Sequence, residues 1–139
     1  MKSIQEIENE IVEEFSFFDN WIDKYDYLIG LGKSLEKIDE SLKTKDNVIA
    51  GCQSQVWLHA KKNEQLIEYV ADSDAIMTKG IISLLIRVLS NQTAKNIIDA
   101  KLDFIQKIGL DEQLSQTRAN GLKSMIKQIK IYALAFNKI

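Results

Sequence analysis

Proline is absent from all 139 residues, and the chain holds one cysteine, Cys52, one histidine, His59, and two arginines, Arg87 and Arg118. Each shortage excludes something. With no proline, no low-complexity tract and no internal repeat, no linker divides the chain, and the length fits one domain spanning 1–139. A lone cysteine cannot close an internal disulfide, which points to a reducing, cytoplasmic setting. One Cys and one His cannot supply the four ligands of a structural zinc site, nor the thiolates of an iron–sulfur cluster, so no metal is expected. The 18 basic and 20 acidic side chains leave a net charge of -2, which gives no electrostatic case for nucleic acid. The longest apolar run, GIISLLI, is too short to span a bilayer. The acidic opening, MKSIQEIENEIVEEF, lacks the basic and apolar regions of a signal peptide, so no membrane partner is expected. In so lysine-rich a chain, an arginine draws attention for its fork of donors.

What is present reads as helices, a small sheet, then helices. Ser3 and Glu6 form a capping box, and Ile4, Ile7, Ile11 and Phe15 recur at helical spacing. Residues 17–31 repeat the pattern through Phe18, Trp21, Ile22, Tyr25, Leu28 and Ile29, with Gly30 and Gly32 expected to stop the helix. Trp21 and Trp57 are expected in the core. Residues 33–51 are polar and predict an ordered loop with about one helical turn. After Cys52 the period becomes two. Val56, Leu58 and Ala60 fall on one face, with Trp57, His59 and Lys61 on the other. A turn at Lys62–Glu64 and the strand QLIEYVA complete an antiparallel hairpin, with which a short strand at Asn47–Ala50 can pair. Asp72, Ser73 and Asp74 supply caps for an apolar helix from about Ala75 to Leu89. Two shorter helical pieces follow, TAKNIIDA and KLDFIQKIGL, and then a long final helix capped by Thr117. The fold class is α+β.

The chemistry centres on GCQSQVWL, where Cys52 follows Gly51 and precedes Gln53, Ser54 and Gln55. A single cysteine is commonly a small buried hydrophobe. This one stands at a loop-to-strand junction, where scaffolds commonly place reactive groups. A cysteine hydrolase needs a base beside the thiol. The only histidine is seven residues along the strand, roughly 23 Å away at about 3.3 Å per residue. No resolving cysteine exists for redox chemistry in cis. One thiol can still attack a sulfane sulfur, carry it as a persulfide and pass it on, given a partner.

The segment NVIAGCQSQVWLHAK resembles the cysteine loop and first long strand of the SufE family of sulfur acceptors, through Asn47, Val48, Gly51, Cys52, Ser54, Val56 and Trp57. ADSDAIMTKGIISLLI is similar to that family's acidic turn and following helix, through Ser73, Asp74, Lys79 and Gly80. LSQTRANGLKSM is similar to its final-helix entry, through Leu114, Thr117, Arg118, Gly121, Leu122 and Met125. NWIDKYDYLIGLG matches its second helix around Trp21, Tyr25, Leu28 and Gly32.

The resemblance implies an α+β domain with a three-stranded antiparallel sheet, flanking helices and helices at both termini, like U-type iron–sulfur scaffolds. It implies a partner cysteine desulfurase, which holds the pyridoxal phosphate, and an iron–sulfur cluster scaffold complex that receives the sulfur. The protein would be a sulfur-transfer accessory rather than a stand-alone enzyme. Cys52 would carry the persulfide and Gly51 would let the loop bend. The resting loop would tuck the thiol inward until a partner draws it out. Arg118 would steady the loop or thiolate or dock an acidic partner patch; its plain alternative is a solvated first-turn charge. Asp74 reads as a helix cap that can also hold the resting loop. Gln53, Ser54 and Gln55 bond the loop backbone or meet the desulfurase. A homodimer stays open. The competing reading is a non-catalytic regulatory module that binds a desulfurase and keeps Cys52 structural.

Overall fold

The computed structural model describes residues 2–138. The order is α1 (Ile4–Ser16), α2 (Trp21–Lys33), two 3-10 turns at Glu40–Leu42 and Lys45–Asn47, β1 (Val56–Asn63), β2 (Leu66–Ser73), α3 (Ile76–Leu89), β3 (Gln92–Thr93), α4 (Ala94–Asp99), α5 (Phe104–Lys107), α6 (Leu110–Gln113) and α7 (Gln116–Asn137). The three strands form one antiparallel sheet in the order β1-β2-β3. Helices flank it and stand at both ends, as the α+β expectation holds. Among the described residues no helix is long and apolar enough to cross a membrane.

The period of two predicts the buried face correctly. Val56, Leu58 and Ala60 of β1 and Ile67, Tyr69 and Ala71 of β2 all turn inward, paired in register from Val56↔Ser73 to Asn63↔Leu66. Tyr69 is buried, and its hydroxyl donates to the Ile129 carbonyl of α7 at 2.7 Å, satisfying the polar tip in the core. On the outer face Trp57 lies under the Lys43 ammonium, 5.2 Å from the ring centroid, so it is not in the core. Trp21, in contrast, packs against the core.

The third strand is not where the sequence placed it. Val48 makes a single bridge to Trp57, and the Ile49 amide donates to the Val56 carbonyl at 2.8 Å, which closes a loop instead of extending a ladder. The chain instead reverses at Asn91, whose φ is 61°, and its amide donates to the Ile67 carbonyl at 2.7 Å. Gln92 and Thr93 then pair with Ile67 and Leu66.

Three helix boundaries also move. Asn20 caps α2, accepting from the Asp23 amide at 2.9 Å, so the helix starts at Trp21. Gly30 and Gly32 do not stop it. Gly32 is buried where α2 crosses α3, and a Cβ there would stand 2.7 Å from the Gly80 amide nitrogen. Ser115, not Thr117, caps α7, because the chain leaves Leu114 extended and the Ser115 hydroxyl accepts from the Arg118 amide at 3.3 Å.

Candidate functional site

The cysteine loop runs from Val48 to Gln55 between two helices and is held at each end. Its closing bond is Ile49 to Val56, and Ile49 is buried. At the far end Gln55 is clamped: its amide donates to Asp74 Oδ1 at 3.1 Å, and its carbonyl accepts from the Ser73 hydroxyl at 2.9 Å and the Asp74 amide at 3.3 Å. Asp74 therefore does not cap α3. Ala75 occupies the cap position without a side-chain bond, and the Ser73 hydroxyl accepts the Ala75 amide at 3.2 Å. Asp72 is also diverted, forming ion pairs with Lys43 at 3.0 Å and Lys79 at 3.1 Å.

Between these ends the loop turns at Gly51, whose φ of 90° disfavours any residue with a Cβ. A Cβ there would also press on the Ser124 hydroxyl of α7. The turn delivers Cys52 half-buried against the same helix, with its thiol 3.6 Å from the Gly121 carbonyl and positioned to donate to it. Burial pushes the thiol above its ordinary range, so the resting group is a protonated thiol. Ser54 donates to the Thr78 hydroxyl of α3 at 3.2 Å.

Cys52, Gln53 and Ser54 open onto a cavity of about 200 Å³ whose other walls include Ala75, Thr78, Arg118 and Met125. Arg118 is exposed and makes no salt bridge among the described residues. The structure thus brings Cys52, Gln53, Ser54 and Arg118 to one cavity. Gly51 and Asp74 stand behind it, shaping and anchoring the loop. His59 lines a different cavity, with Glu36, Glu68 and Ser90, as its strand position requires.

Sequence reasoning gave no role in the loop to Gly121, Thr78 or Ser124, and read Ser73 only as a helix cap. Two of these carried a signal. Thr78 is a buried hydroxyl in a helix that is otherwise nearly all apolar, and Gly121 is a weak helix former in the first turns of a long helix.

The profile of the SufE family, described as an Fe-S metabolism associated domain, matches residues 9–133. The chain belongs to the SufE family. An uncharacterized SufE-like protein of Rhizobium meliloti (strain 1021) is 43% identical over 88% of this chain and 91% of its own length. SufE-like protein 1, chloroplastic/mitochondrial, of Arabidopsis thaliana is 39% identical over 90% of this chain and 34% of its own. The solution structure of a hypothetical protein from Thermus thermophilus shares the fold, with a TM-score of 0.79 at 14% identity over 96% of this chain and 97% of that one. Membership of the SufE family gives the protein a role in iron–sulfur metabolism.

Proposed function

We propose that this SufE-family protein is a sulfur carrier whose Cys52 accepts sulfane sulfur from a cysteine desulfurase. The supporting observation is a lone thiol on a loop latched at both ends, at the mouth of a small cavity with an unpaired arginine on its wall. In the reaction the Cys52 thiolate attacks the terminal sulfur of the desulfurase persulfide. A new S–S bond forms on Cys52, the S–S bond of the donor breaks, and the donor cysteine leaves as a thiolate. No outside oxidant or reductant enters. Binding would also stimulate the desulfurase by clearing its persulfide, and the loaded Cys52 would pass the sulfur to an iron–sulfur scaffold. The pyridoxal phosphate in this scheme belongs to the desulfurase.

Burial holds the resting thiol protonated and therefore a poor nucleophile. Reaction requires the loop to swing Cys52 away from Gly121 towards the partner. Arg118, at the cavity rim, then favours the thiolate or the arriving sulfur anion. Gln53 and Ser54 meet the partner.

The same burial favours a second reading, a regulatory module in which Cys52 only fills space. One experiment separates them. The intact protein is incubated with a purified cysteine desulfurase and L-cysteine, and its mass is measured. The carrier gains one sulfur atom that Cys52→Ser does not. Binding without any adduct on wild-type protein would leave the module. Iodoacetamide alkylation as fast as that of a free small thiol, with no partner present, would contradict the tucked loop.

A further inference from the structure

Helices α1 and α7 carry opposite charge, and they handle it differently. α1 holds Glu6, Glu8, Glu10, Glu13 and Glu14 and no cation. Most of these are occupied within the fold: Glu6 closes the capping box, Glu8 accepts the Phe104 amide, Glu10 pairs with Lys2, and Glu14 with Arg87. α7 holds Arg118, Lys123, Lys127 and Lys130 and no acid. Lys130 donates to the Ile98 and Ala100 carbonyls. Arg118, Lys123 and Lys127 have no ion pair among the described residues.

At 3.6 residues per turn, Asn120, Lys123, Lys127, Ile131 and Leu134 share one face of α7, and all are exposed. Ile131 and Leu134 are large apolar side chains left 43% and 47% accessible. This face borders the cysteine loop. Gly51 sits against Ser124, and Asn47 accepts the Tyr132 hydroxyl at 3.5 Å, so the loop runs along the flank of α7. Val48, between those two contacts, is also an exposed apolar residue.

We propose that the outer stripe of α7, where Lys123 and Lys127 lead into Ile131 and Leu134, docks an acidic surface with an adjoining apolar patch on the cysteine desulfurase that loads Cys52. The inference rests on the sulfur-carrier reading and adds the footprint and the charge of the partner. An acidic protein surface fits better than nucleic acid, because the stripe offers only two lysines beside two large apolar side chains, in a chain of net charge -2. It fits better than a membrane, because only two large apolar groups project while the opposite face of α7 is locked in the core. Unpaired cations beside the reacting loop speed a productive encounter and orient it.

The test uses the full chain with a purified cysteine desulfurase and L-cysteine. The rate of Cys52 persulfide formation is followed at low and high salt, and binding is measured in the Cys52→Ser background. In Lys123→Glu/Lys127→Glu both association and transfer fall about tenfold at low salt, and the deficit shrinks as salt rises. Lys123→Gln/Lys127→Gln falls less, Ile131→Ser weakens binding several-fold at every salt, and Lys37→Glu, at the His59 cavity, matches wild type. Unchanged melting and iodoacetamide reactivity of the variants confirm that the fold is kept. Sulfur transfer at wild-type rate and salt dependence in both lysine variants overturns the docking stripe and leaves the carrier reading intact. Stripe-dependent binding with no sulfur on Cys52 does the reverse. Lysine-dependent capture of duplex DNA or anionic vesicles, with desulfurase binding unaffected, also overturns it, as does the absence of any binding.

Discussion

Gly32 and Gly80 bring two helices together, whereas Gly51 turns one loop, and the surroundings of the two sites differ in kind. At the α2–α3 crossing a Cβ on Gly80 would stand 2.5 Å from the Leu28 carbonyl oxygen, and Leu28, Ile81, Ile82, Leu84 and Leu85 around it are buried. That contact is dispersion and exclusion spread over many atoms, with no second arrangement nearby. The cysteine loop is held by a few separate polar latches: Asp74 and Ser73 on Gln55, Thr78 on Ser54, and the Gly121 carbonyl on the thiol. Each is worth at most about 1 kcal/mol net, and the Asp74 bond less, because Gln55 and Asp74 are exposed so that water can replace either partner. Thr78 and Gly80 are two residues apart on α3, so one helix is fixed by the crossing at one point and offers a releasable latch at the next. A carrier needs this pairing of a rigid platform with a loop that opens at small cost.

The largest expected effect strikes the rigid half. Gly80→Val forces the helices apart and costs about 3 kcal/mol, the upper range for overpacking a core. For a chain of this size that lowers the melting temperature by roughly 10 °C. Thermal denaturation measures it, while the persulfide formed per folded molecule stays at the wild-type level. A melting temperature within about 2 °C of wild type would mean that the crossing yields and the contrast with the loop is wrong.

The two regions were unequally legible in the sequence. The hairpin faces and the nearly all-apolar α3 followed from the apolar pattern alone, because burial dictates where apolar residues recur. Gly32 of α2 misled, since helix termination and close helix approach both call for a residue without a Cβ, and only the partner helix distinguishes them; Gly30 faces open space. The third strand was misplaced because Gln92 and Thr93 are too short to show a period, whereas Val48 and Ile49 have strand-like side chains that serve a loop. Cys52 and the family motifs around it pointed to the candidate site. Asp74 reads both as a helix cap and as a hold on the resting loop, because two residues before a helix it looks the same in sequence whether it caps that helix or reaches across to Gln55; the Ser73 and Thr78 latches did not emerge.

A second, smaller effect tests the rigid half by pH. The Arg87 guanidinium donates to both oxygens of Glu14, at 2.8 Å to Oε1, and this pairing, helped by the Tyr27 hydroxyl and opposed by burial, holds the Glu14 carboxyl below its usual value of 4.5. A depressed carboxylate contributes stability that is fully present above the unfolded value and is lost as pH falls through the folded one. Stability should therefore drop below about pH 4.5 in wild type, less so in Glu14→Gln. At pH 7 that variant loses roughly 1 kcal/mol, a charged hydrogen bond discounted for partial exposure. Urea unfolding across pH 3 to 7 measures both; parallel curves for the two proteins would remove Glu14 from the linkage.

The smallest effect on stability and the largest on reactivity belong to the loop. Asp74→Ala frees the Gln55 amide, which water can satisfy, so folding free energy changes by no more than about 0.5 kcal/mol. The Ser73 latch remains, and the loop opens more often without being released. Iodoacetamide alkylation of Cys52 then speeds several-fold. Because burial is what raises the thiol, the rate-versus-pH midpoint also moves down towards that of an ordinary cysteine. A faster reaction with an unmoved midpoint would mean better access without release from burial, and a reaction at the wild-type rate would mean that the Asp74 bond is not what keeps Cys52 against Gly121.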